Sequence, residues 1–109
     1  MSLLRRKNKD QKSQSVAVEA TATPIAEAQA RAHVRICGKV TRMTARPTAG
    51  QPALAVSISD DTGTVTAVWT GRREIGGITL GRRVMIDGVP VPHGARLEFT
   101  NPRYTLMPR

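Results

Sequence analysis

From Arg31 onward, apolar residues fall at every second position, and this period leaves few folds open to the chain. A strand turns successive side chains to opposite faces, so a period of two marks a sheet with one buried side. Val34, Ile36, Gly38 and Val40 alternate with Arg35, Cys37, Lys39 and Thr41. Leu54, Val56 and Ile58 alternate with Ala55, Ser57 and Ser59. Asp60-Asp61-Thr62-Gly63 supplies turn chemistry: acids that bond nearby backbone, then a glycine free to take positive φ. Val65, Ala67 and Trp69 resume the alternation. Gly71, Gly76, Gly77 and Gly81 then disfavour a long helix. Val84, Ile86 and Gly88 form a fourth strand, and Pro90, Pro92, His93 and Gly94 read as a loop. Leu97 and Phe99 open a fifth strand, which Asn101-Pro102 interrupts before Tyr104 and Leu106.

Five short strands in one small domain of a 109-residue chain restrict the architecture further. An open sheet would present long edges and bury one face only. Closing it removes the edges and gives the alternating residues a shared interior. Gly38 and Gly88, on the inward parity, suit the sharp coiling of a small barrel. The expected fold is all-β, a five-stranded antiparallel barrel over residues 31–109, with an SH3-like barrel as the structural alternative.

The segments before the barrel differ in composition. Residues 1–14 carry Arg5, Arg6, Lys7, Lys9 and Lys12 against Asp10, and have almost nothing to bury. They are expected to form a disordered basic tail. Residues 15–30 are Ala-rich, a linker or short helix. Thr23 as N-cap and Pro24 at the first helical position would start that helix, with Ile25, Ala26, Gln29 and Ala30 on one weak apolar face.

Lys and Arg outnumber Asp and Glu by 17 to 8, a formal net charge of +9. An excess of this size favours polyanionic partners. Thirteen of the bases are arginine; compositional bias explains the choice of Arg over Lys but not the excess. The single cysteine, Cys37, excludes an internal disulfide framework and cysteine-cluster metal sites. No apolar run approaches the roughly 20 residues of a membrane-spanning helix. The basic N-terminus has no apolar stretch behind it, unlike a secretory signal. A cytoplasmic location is expected.

Three runs carry a family resemblance: Val34-Arg35-Ile36-Cys37-Gly38-Lys39-Val40, Ser59-Asp60-Asp61-Thr62-Gly63-Thr64-Val65, and Leu80-Gly81-Arg82-Arg83-Val84-Met85-Ile86-Asp87-Gly88. Together they resemble the OB-fold (oligonucleotide/oligosaccharide-binding) nucleic-acid-binding family. That family includes anticodon-binding domains of tRNA synthetases and the wedge domain of the RecG helicase. The stretches 68–78 and 101–104 resemble small stand-alone OB-fold proteins of actinobacterial type. The resemblance covers residues 31–108 and implies a nucleic-acid partner. The chain departs from single-strand binders in its aromatics, which are only Trp69, Phe99 and Tyr104; such binders stack bases on several rings.

The candidate contacts follow from strand parity and loop position. If Val34, Ile36 and Val40 point inward, Arg35, Lys39 and Thr41 point outward, beside Ala55, Ser57 and Ser59. A polynucleotide backbone could lie on that flat basic surface, and an ordinary solvated face fits the same pattern. Arg46 and His93 lie in the two loops that border the ligand face of this fold. Arg42 and Arg96 join them among the cations of the barrel face and loops. The pairs Arg72-Arg73 and Arg82-Arg83 flank the connection between the third and fourth strands. They read as an anion-binding rim or as Arg stems covering the open end of the barrel. Parity points Trp69 inward; a β-bulge after Ala67 would flip it outward as a stacking platform.

No catalytic constellation is found. Asp60 and Asp61 belong to a turn, Cys37 has no His or Asp at a triad-like spacing, and no nucleotide-loop, zinc-protease or nucleophile-elbow motif occurs. No metal ligand set accompanies His33 or His93, and no cofactor is expected. The leading expectation is a non-enzymatic module that binds single-stranded DNA or RNA at low specificity. A protein-interaction adaptor barrel is the alternative. A peripheral membrane protein ranks last, because a polybasic tail alone binds lipid weakly.

Overall fold

The computed structural model describes residues 21–108. Its strands are β1 (Val34–Ala45), β2 (Ala53–Ser59), β3 (Thr64–Thr70), β4 (Arg83–Gly88), β5 (Val91–His93), β6 (Arg96–Thr100) and β7 (Arg103–Leu106). They form one sheet in the order β5-β6-β3-β2-β1-β4-β7. All pairings are antiparallel except β3 with β6. β6 and β7 lie toward opposite ends of this order, yet only Asn101-Pro102 separates them in the chain. Two residues reach less than about 10 Å, so the sheet must roll until its ends meet. Asn101, at φ +49°, holds that corner. Its backbone N–H donates to the Val68 carbonyl at 2.7 Å, and its side-chain amide exchanges two 3.0 Å hydrogen bonds with Thr70.

The sheet has seven strands, not the five expected. The fifth strand is divided at Asn101-Pro102 into β6 and β7, and the loop expected at 90–94 contains β5. Pro92 is tolerated there because β5 is an edge strand, paired only with β6.

Alternation works as read over most of the sheet. Ile36, Val40, Val56, Ile58, Val65, Val84, Ile86 and Phe99 are fully buried in one cluster. β1 crosses β2 so closely at Gly38 that a Cβ there would lie 2.7 Å from both Ile58 Cγ2 and the Ser59 carbonyl oxygen. The glycine is a packing requirement. Ile75 and Ile78, from the connection between β3 and β4, join the core, and the Tyr104 hydroxyl pins that connection by donating to the Gly76 carbonyl at 2.9 Å.

Two local features depart in detail from the expectation. The register of β1 on β2 shifts between Val40 and Arg42, so Thr41 is an extra bulged residue. Strict alternation from Val40 would turn Arg42 inward; the bulge turns it outward, opposite Ser57. The second is the helix. It is a single 3-10 turn over Ile25–Glu27, with Ile25 its only buried residue, and neither Thr23 nor Pro24 caps it with a side chain. The caps come from the β2–β3 turn: the Ile25 N–H donates to Asp60 Oδ2 at 2.9 Å and the Ala26 N–H to Thr62 Oγ1 at 3.0 Å. Asp60 Oδ1 meanwhile accepts from the Thr62 and Gly63 backbone and the Thr62 hydroxyl. Partial burial pushes the Asp60 carboxyl up, but hydrogen bonds from Thr62, Ile25 and Gly63 together outweigh that and hold it below the usual aspartate value. The expected basic tail at 1–14 and the first part of the Ala-rich segment lie outside the described residues.

Candidate nucleic-acid interface

The outer side of β1, β2 and β6 brings three of the expected contacts together. Arg42 pairs across the strands with Ser57. Arg96, from β6, donates through a terminal nitrogen to Ser57 Oγ at 3.2 Å. Both arginines are exposed. Two residues along the same face of β6, Glu98 accepts a 2.8 Å hydrogen bond from Arg46, and His93 Nε2 stands 4.0 Å from the same oxygen. Arg46 leaves the end of β1 with its backbone N–H on the Ala53 carbonyl, and Thr48 and Gln51 bond each other across the tip of the loop. That loop and the β5–β6 hairpin therefore meet over Glu98.

Glu98 was missed from the sequence. It is the one buried charged residue among those described, and it sits on the outward parity between Leu97 and Phe99. Its signal was available as an acid on the polar side of a strand otherwise flanked by cations. What sequence could not give is the partner 52 positions away. A carboxylate here repels phosphate and competes for Arg46, so the mouth between the loops is partly neutralised.

The other expected contacts are dispersed. Arg35 opposes Asp87 across β1 and β4 and donates to it from Nε at 3.2 Å; His33 holds the other oxygen of that carboxylate. Lys39 and Arg83 oppose each other on the same strands and line a cavity with Arg82. Arg73 lines a separate cavity with Pro47, Gln51 and Pro52, beside the first loop. Arg72 lines a third with Trp69, Arg103 and Tyr104. The two arginine pairs thus line three separate cavities.

Trp69 is in the core, as alternation predicts, and β3 pairs with β2 without a bulge. The ring is 6% exposed, meets Tyr104 edge-on at 5.7 Å between centroids, and donates from Nε1 to the Pro102 carbonyl at 3.3 Å. It offers no open face for a base. Val68 is also buried although it has the outward parity; its cross-strand neighbours are Ala55 and Thr100. Cys37 is half-buried on the outer side of β1. Among the described residues, no three His, Cys, Asp or Glu side chains stand together as a metal site, and no helix is long and apolar enough to cross a membrane.

Residues 34–107 match the family model of the OB-fold nucleic acid binding domain, the tRNA anticodon-binding type. Among solved structures, the replication factor A related protein from Methanobacterium thermoautotrophicum superposes with a TM-score of 0.63. The two sequences are 20% identical, and the match covers 82% of this chain and 93% of that one. At this identity the likeness establishes the fold. No curated protein matches.

Proposed function

The chain belongs to the OB-fold nucleic acid binding domain family, and from that premise we propose that it binds single-stranded DNA or RNA at low specificity, without catalysing a reaction. The observation that carries this reading is the meeting of Arg42, Ser57 and Arg96 on the outer face, beside the two loops that border the ligand surface in this fold. The two cations are exposed and come from two strands, β1 and β6, with Ser57 of β2 between them. Small Ser and Ala side chains between them leave room for a backbone to lie flat. Phosphate contacts of this kind position a strand without reading its sequence. With Trp69 in the core, base stacking contributes little, so affinity comes from phosphate neutralisation.

The adaptor reading has one observation in its favour. Val89 and Val91, at the edge of the sheet, are exposed large apolar residues, as a protein-docking strand would have. A titration separates the two readings. A fluorescently labelled oligonucleotide should bind, and an oligomer with an uncharged backbone should not. Failure of the charged oligonucleotide to bind at low salt would reject the nucleic-acid reading in favour of the adaptor.

A further inference from the structure

A cavity of about 370 Å³ opens beside the connection between β3 and β4, next to the far end of the proposed strand path. Its lining includes the cations Lys39, Arg82 and Arg83 and the apolar Leu80 and Pro108. Among the described residues, no Asp or Glu lines it. Its size is at the small end of ligand pockets, which run from roughly 300 to 1,000 Å³.

Three further observations bear on what it holds. The first is Arg82 Nε, a buried donor with no acceptor among the described residues. Leaving such a donor unmade is unfavourable, and a buried unpartnered polar group asks for an explanation. The second is Leu80, an apolar side chain left 66% exposed at the cavity wall. The third is the rigidity of the wall. Gly81 donates to the Val40 carbonyl at 2.8 Å, Val40 donates to the Arg82 carbonyl at 2.9 Å, and Met107 donates to the Arg83 carbonyl at 3.0 Å. The turn, β1 and the C-terminal segment are thus fastened together before any ligand arrives.

We propose that this cavity is a nucleotide-phosphate subsite. Arg82 Nε is closed to solvent in the unliganded structure; on binding, the Arg82 side chain turns so that Nε donates to one phosphate oxygen, Lys39 supplies a second positive charge, and the sugar or base lies against Leu80 and Pro108. The subsite extends the nucleic-acid reading above. Lys39 follows Arg42 on the outer side of β1, about 10 Å away at strand rise, so a strand lying on Arg42 and Ser57 runs toward the cavity.

The test is NMR of the full chain, following the amides of residues 79–83 and Met107. Adenosine 5′-monophosphate should move them saturably, inorganic phosphate should move the same amides more weakly, and adenosine should not move them. Arg82→Gln should weaken the nucleotide about tenfold or more, as expected for a hydrogen bond between charged partners. Lys39→Gln, at an exposed position, provides the same readout if the Arg82 variant folds poorly. Adenosine acting like the monophosphate, or no effect of either variant, overturns the subsite. Hexanucleotides with and without a 5′-phosphate then tell a terminal from an internal phosphate, and either leaves the phosphate in the cavity. An oligonucleotide that moves Arg42, Ser57 and Arg96 but not residues 79–83 overturns the subsite and leaves the proposed function standing. A mononucleotide bound at 79–83 with no oligonucleotide binding does the reverse.

Discussion

On the inner side of β1 and β2, Ile36, Val56 and Ile58 have no exposed surface, whereas the outer side of the same two strands carries Lys39, Arg42 and Ser57. The inner side is continuous: β3, β4 and β6 add Val65, Ile86 and Phe99 to one cluster. The outer side is a set of separate polar groupings. One is Arg42–Ser57–Arg96, a second is Arg46 and His93 around Glu98, and a third is Arg35 and His33 on Asp87. The inner residues act together because each touches several others in a close-packed space. The outer cations are held singly or in pairs; the exposed contacts among these contribute little to folding, and the Arg46–Glu98 pair is part-buried. Inner and outer substitutions should therefore separate cleanly, the first changing stability and the second changing binding.

Trp69→Ala is the severest test of the inner side. Removing a buried indole should cost roughly 3–5 kcal/mol, a large part of the total stability of so small a domain. Denaturant unfolding measures it. In the parent protein, tryptophan emission should be blue-shifted and unchanged by oligonucleotide; a red maximum quenched on binding would put the ring on the wrong side of the wall.

Asp60 comes next. Asp60→Ala removes the acceptor shared by the β2–β3 turn and the 3-10 turn at Ile25, and should cost about 1–2 kcal/mol, as for the loss of a cap. Its acid dependence has a definite sign. Because the folded carboxyl titrates below its ordinary value of 3.8, its contribution is present above that value and is lost as pH falls through the lower folded one. Acid unfolding curves of parent and variant should converge at the lowest pH; a gap that widens with acid contradicts the assignment.

Smaller effects are expected outside. Arg42→Ala should leave the melting temperature nearly unchanged, as for most surface substitutions. It should also weaken oligonucleotide binding and lower the steepness of its salt dependence by about 0.7, one phosphate's worth. Glu98→Gln should act in the opposite direction, tightening binding by a few-fold, since it releases Arg46 and removes a negative charge from the mouth. If Glu98→Gln weakens binding, the carboxylate contacts the ligand and does not compete with it.

The inner side was the legible one. Val34, Ile36 and Val40, and Leu54, Val56 and Ile58, announce their burial by alternation, and all six are in the core. Gly38 and the Asp60 turn were legible for the same reason: each answers to neighbours a few residues away or to a single cross-strand approach. The outer side was legible only in composition. The Thr41 bulge, which turns Arg42 outward, arises from how β1 meets β2. The Arg46–Glu98 pair depends on two loops meeting across 52 positions. Neither leaves a mark in local periodicity. The split of the last strand was visible at Asn101-Pro102, but β5 was hidden by Pro90 and Pro92, which read as a loop until an edge position makes Pro92 acceptable.

If the outer face holds nucleic acid by phosphate neutralisation, the salt dependence of binding shows it most directly. With Lys39, Arg42, Arg46 and Arg96 engaging about four phosphates of a single strand, log K against log salt should fall with a slope near −3, at roughly −0.7 per phosphate. A flat dependence, with affinity unchanged between low and high salt, would contradict it.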